Sequence, residues 1–159
     1  MALQKMSSNN SKKTLLKKLE YPEKILIILR EAIGGNQEFR DFLFRSQYKE
    51  LGFFCYALLN DVKSRKWLLE NQFAHLLATI EGIEGKESAL MWLKKNGFDL
   101  LFHFARSADS WEDSQIWLQK KDKLLYSLSL KIEYVKDEID LKNEDPHKIN
   151  PWGINEGFL

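Results

Sequence analysis

Apolar positions along this chain return at a fixed interval, beyond the spacing of a single helical turn. Trp92-Leu93, Asn96, Phe98 and Leu101 have counterparts at Trp67-Leu68, Asn71, Phe73 and Leu76, and looser ones at Phe42-Leu43, Tyr48 and Leu51. A weaker copy opens at Trp117-Leu118, so the starts at 42, 67, 92 and 117 are 25 residues apart each time. Such a period points to one structural unit used four times. Within the units, apolar residues fall three, four or seven apart, as on one face of a helix. No stretch sustains the apolar–polar alternation of a half-buried strand, which makes the fold all-α.

Capping and breaking residues set the expected helix ends. From Thr14 the pattern is helical, with Pro22 suited to the first turn of a helix through Ile33, because proline lacks an N–H that a helix start leaves unpaired. Gly34-Gly35 ends it and Asn36 caps the next, which is expected from about Gln37 to Leu59. A polar turn from Asp61 to Ser64 precedes a helix over Arg65 to Ile80, and Gly82 and Gly85 break the chain again. The most apolar long segment, Lys86 to Arg106, is interrupted at Asn96-Gly97. Ser110 with Asp113 gives a capping-box start to one long last helix, whose Trp117, Leu124, Leu128, Ile132, Val135 and Ile139 share a face until fraying near Lys142.

Two architectures follow from the status of Asn96-Gly97. A kink there makes each unit one helix of about 20 residues and the whole a bundle of about five antiparallel helices. A turn there makes each unit a pair of helices of about 8 to 10 residues, stacked as a solenoid. The WLKKNGFDLL junction resembles the helix-turn-helix of ankyrin or armadillo repeats over about ten residues per unit, with a shorter period and without the ankyrin hairpin residues. The uninterrupted pattern after Ser110 favours the bundle.

Composition narrows the function classes. The 159 residues fit one domain, expected over 14–142, after a Ser/Asn/Lys-rich segment at 1–13 with little to bury. Residues 143–159 contain Pro146, Pro151, Gly153 and Gly157, so they cannot continue a helix, yet they keep Ile149, Trp152, Ile154, Phe158 and Leu159. An irregular segment this apolar is expected to lie against this domain or to serve as a linear motif for a partner's groove, with Ile149, Trp152, Ile154 and Phe158 as its contacts. Lys and Arg number 24 against 23 acidic residues, and a net charge of +1 gives no bulk attraction to nucleic acid or membrane. A single cysteine, Cys55, rules out an internal disulfide and fits a reducing compartment, and its aromatic neighbours suggest burial. The amino terminus has no apolar signal-like region, and the longest aliphatic run, Ile25 to Leu29, is too short to cross a bilayer, so a cytoplasmic protein without membrane partners is expected.

Candidate chemistry is sparse. Asp99 and His103 are four apart on one helical face, with Arg106 beyond them, and a carboxylate beside an imidazole can orient a base or begin a metal site. No third ligand or nucleophile accompanies them in the pattern, and they read as the polar edge of a mostly buried helix. The GIEGKES stretch places Ile80 and Glu87 where a phosphate-binding loop needs glycine and a hydroxyl residue. Lys94, Lys95, Lys120, Lys121 and Lys123 cluster near two unit ends and could track a phosphate backbone. Evenly spaced Trp67, Trp92 and Trp117 suggest repeated core packing rather than an exposed binding face. No catalytic, metal-binding or cofactor-binding residue is assigned. The expectation is a non-enzymatic helical adaptor that binds another protein, with homo-oligomers compatible; the alternative is a small subunit holding RNA or DNA through the lysines.

Overall fold

The computed structural model describes residues 21–144, and these form nine α-helices and no strand: α1 (Glu23–Ile33), α2 (Gln37–Arg45), α3 (Lys49–Leu58), α4 (Val62–Glu70), α5 (Ala74–Ile83), α6 (Glu87–Lys95), α7 (Asp99–Ala108), α8 (Glu112–Lys121) and α9 (Lys123–Glu144). The all-α expectation holds, but the count of about five does not. Asn96-Gly97 is a turn between α6 and α7, with Gly97 at φ 80°, the left-handed region that glycine enters freely. Equivalent turns split the single helices expected at 37–59, 65–80 and after Ser110. Each 25-residue unit is therefore an outer helix of 9 or 10 residues followed by an inner one.

The recurring skeleton has a physical role at every position. Leu43, Leu68, Leu93 and Leu118 are fully buried, one per outer helix. Asn71 and Asn96 close α4 and α6 by donating Nδ2–H to the carbonyls of Trp67 and Trp92, each at 2.8 Å, which occupies acceptors that a helix end otherwise leaves open. Phe73 and Phe98 then start the inner helices, and Leu51, Leu76 and Leu101 point into the core. Between units, Gly35, Asn60, Gly85 and Ser110 are all left-handed, again at intervals of 25. Asn36 accepts from the Phe39 amide at 3.1 Å and caps α2 as expected, whereas Asp61 accepts from the Ser64 amide at 2.9 Å and caps α4 from Val62, inside the stretch expected to be a polar turn before Arg65. The Ser64 hydroxyl also donates to Asp61 and holds that carboxyl below its ordinary range. Ser110 does not cap: it lies in the left-handed turn, donates to Glu133 at 2.7 Å, and leaves Trp111 at the start of α8.

A second repeated device ties outer to inner helices. Arg40 Nε donates to the Ala32 carbonyl (2.8 Å), Arg65 Nε to Ala57 (3.1 Å) and Gln115 Nε2 to Ser107 (3.0 Å). In the remaining unit the donor is replaced by Leu90, which packs so closely on Gly82 that a methyl group there would meet Leu90 Cδ2 at 2.8 Å. Gly82 is thus a packing glycine inside α5, not the break its sequence context suggested.

The inner helices α1, α3, α5, α7 and α9 pack each against the next, and α9 also packs against α1, so the row closes into a ring. Arg30 of α1 reaches Ser127 of α9 at 3.2 Å across the closure. Leu26, Leu51, Leu76, Leu101 and Leu125 meet around an apolar cavity of about 30 Å³ at one end of the ring. Their shared register shows that the five helices run in the same direction, with α2, α4, α6 and α8 outside. The core joins all five inner helices, from Ile25, Leu29 and Ile33 through Phe54, Ile80 and Phe104 to Leu128 and Ile132. The segment expected at 1–13 lies outside the described residues, as does the tail expected at 143–159, with Ile149, Trp152, Ile154 and Phe158, except for residues 143 and 144, which end α9.

Candidate functional site

Repeat register decides which indole is structural. Phe53 of α3 stacks on Trp67 of the next outer helix, 4.0 Å between centroids and 11° between planes, and Phe73 covers the far side at 5.9 Å. One unit pair later, His103 stacks on Trp117 at 4.0 Å and 18°. The intervening position, 78, is alanine. A methyl group cannot cover an indole, and among the described residues Trp92 keeps only Phe98 as a stacked partner, at 6.0 Å, and is 40% exposed. Beside it Met91 is 58% exposed, and Ile116, the same register position on α8, is 47% exposed. Core packing thus accounts for Trp67 and Trp117, while Trp92 and Met91 on α6 and Ile116 on α8 are exposed on the outer layer.

His103 belongs to this ladder and not to an acid–base pair. Its Nδ1 lies 3.0 Å from Ser114 Oγ, and Arg106 Nη1 donates to that same oxygen at 3.1 Å while forking onto Asp113 at 2.9 and 3.1 Å. A serine within reach of an imidazole has the spacing of an activated nucleophile. Ser114 is fully buried, however, and its oxygen already accepts from Arg106, so a substrate carbonyl has no approach to it. Partial burial, then the cations of Lys94 and Arg106, hold the His103 imidazole below its ordinary range, which keeps it neutral. Asp99 is exposed at the start of α7, and His103 hydrogen-bonds Ser114 instead of it.

The lysines gather at one end of the ring. Lys94 and Lys95 end α6, Lys120 and Lys121 end α8, and Lys123 starts α9; all are exposed. Four of them sit in last turns, where cations complement the negative end of a helix dipole. Lys94 also lies 4.7 Å over the Phe102 ring. Lys95 and Lys120 are in register, but Glu70 holds the same position on α4 and ends the stripe. Asp99 and Asp122 interleave with it.

Two features were not legible beforehand. Glu50 is buried at a register position that is Ile25, His75 and Leu100 in other units, and it accepts from the Tyr21 hydroxyl at 3.1 Å. Burial first, and then the Glu50 charge, raises the Tyr21 hydroxyl far above its ordinary range. At the ring's opposite end, a cleft of about 430 Å³ opens between the carboxyl ends of α1, α3 and α5 and the second half of α9. Ile33, Leu58, Ile83 and Ile132 form its apolar walls with Val135 and Ile139, and Asn60, Glu84, Lys136 and Asp140 its rim. Lys136 Nζ donates to the Ile83 carbonyl at 2.9 Å and pairs with Asp109, pinning α9 over two helix ends. The only hint in the sequence was the apolar face of α9 running on through Val135 and Ile139.

Among the described residues, no three His, Cys, Asp or Glu side chains gather as a metal site, and no helix is long and apolar enough to cross a membrane. No known protein family, no curated protein and no solved structure matches this chain.

Proposed function

We propose that the chain is a non-enzymatic helical-repeat module that binds another protein through its outer layer, at the exposed apolar side chains of Met91 and Trp92 on α6 and of Ile116 on α8. The observation that carries this reading is the exposure of Trp92, whose register partner is Ala78 where Trp67 and Trp117 have rings. Interface centres are enriched in tryptophan and methionine because these side chains bury large areas, and Lys94 and Lys95 supply a polar rim beside them. These side chains sit on helices already packed into the ring, so their backbone needs no folding on binding. Affinity capture from native cells tests this with the full chain and with Trp92→Ser combined with Met91→Ser. The reading expects the captured protein to be lost in the variant at unchanged helicity and melting temperature. Equal capture by both would contradict it.

A second reading rests on the five exposed lysines at one ring end, which suit a phosphate backbone. It expects RNA or DNA retention that weakens steeply with salt and is lost in Lys94→Glu with Lys120→Glu. No retention at low salt removes it.

A further inference from the structure

The 430 Å³ cleft is unlike the rest of the ring in one respect: among the described residues, no outer helix lies between α9 and α1. Helices α1, α3, α5 and α7 are 10 or 11 residues long, whereas α9 has 22 and overshoots the ring. Val135 and Ile139 on the overshoot face Ile33, Leu58 and Ile83, leaving an apolar trough of a size that holds a few side chains. Its aliphatic walls and a polar rim of comparable extent, carrying Asn60, Glu84, Lys136 and Asp140, suit a peptide segment that brings apolar side chains together with its own backbone polar groups.

The occupant is argued from where α9 stops. Residue 144 is five residues beyond Ile139, about 8 Å along the helix axis. Asp145 and Pro146 follow, and a proline inside a helix removes a hydrogen bond and clashes with the preceding turn, which disfavours straight continuation along the axis. The eight residues from 144 to Trp152 span at most about 27 Å, ample for turning back into the trough. They are followed by Ile154 and Phe158 at spacings that an irregular segment can place in one groove. The chain before Tyr21 enters at the other end of α1, about 16 Å from Ile33, and is Ser/Asn/Lys-rich at its start. We infer that the cleft is the intramolecular docking site for residues 149–158, with Trp152 as its anchor and Ile149, Ile154 and Phe158 beside it. Met91, Trp92 and Ile116 do not line the cleft, so this inference and the proposed function stand or fall separately.

The test uses the full chain carrying a nitroxide at Asn155→Cys. Cys55 lines the same cleft, so it is replaced by alanine and the label has a single attachment site. Docking predicts that methyl signals of Ile83, Val135 and Ile139 lose more than half their intensity while Leu93 on α6 keeps most of its own. The loss should persist on tenfold dilution and be absent when spin-labelled chains are mixed with unlabelled, isotope-enriched ones. Leu59→Lys, at a cleft residue already 40% exposed, should keep the helicity and restore most of the signal. Unaffected cleft methyls, broadening that appears only between chains, or broadening unchanged by Leu59→Lys would each overturn the inference.

Discussion

Position 103 carries an imidazole where position 53 carries a phenyl ring and position 78 a methyl group, and that series explains three side chains at once. His103 acts as a flat ring over Trp117, and its preference for the neutral form follows from burial first and then the nearby cations of Lys94 and Arg106. The sign of the pH effect follows. As pH falls below about 6.5, the unfolded chain takes up the proton before the folded one does, so stability present at neutral pH is lost toward the folded-state value. His103→Phe keeps the stack, and urea unfolding should show a shallower acid dependence below that pH than in the parent protein. His103→Ala removes the stack and should cost about 1.5 kcal/mol at pH 7.5. A His103→Phe variant with the parent's full acid slope would place the titrating group elsewhere. The spacing of Asp99 and His103 was visible in the sequence, but a helical face does not say which neighbour a side chain chooses, and Ser114 comes from the next unit.

At the scale of the helix, the 25-residue period and the all-α class were legible because Trp-Leu, Asn, Phe and Leu recur in step. The splitting of each unit into two helices was legible only at Asn96-Gly97. The corresponding turns at Ser46-Gln47, Asn71-Gln72 and Lys121-Asp122 contain neither glycine nor proline. Asn71 performs there the same carbonyl capping as Asn96, and Gln72 accepts the left-handed backbone at φ 71°. Asp122 instead starts α9 by accepting from the Leu124 and Leu125 amides at 2.9 and 3.1 Å. Periodicity alone runs straight through such junctions. The roles predict a ranking by denaturant unfolding: Leu93→Ala, at a fully buried position, should cost about 3 kcal/mol. Gly85→Ala, at φ 87° with no close neighbour, should cost only the backbone strain of about 1 kcal/mol. Equal losses at the two sites would mean that Leu93 is not the core residue the register makes it.

At the scale of the molecule, the closure of α9 onto α1 turns a row of helix pairs into a ring with a filled centre, two ends and an outer layer. The choice between bundle and solenoid dissolves in this arrangement, since the inner helices form a five-membered bundle while the units stack as repeats. Closure could not be read from periodicity, because it depends on the curvature each unit adds. Its consequence is that side chains of the outer helices either stack between units or face the surroundings, and the register sorts them. Fluorinated tryptophan in the full chain, with resonances assigned by single Trp→Phe variants, measures this sorting directly when a soluble paramagnetic agent is added. The account predicts strong broadening for Trp92 and protection for Trp67 and Trp117. Broadening of Trp67 or Trp117 as strong as that of Trp92 would contradict it.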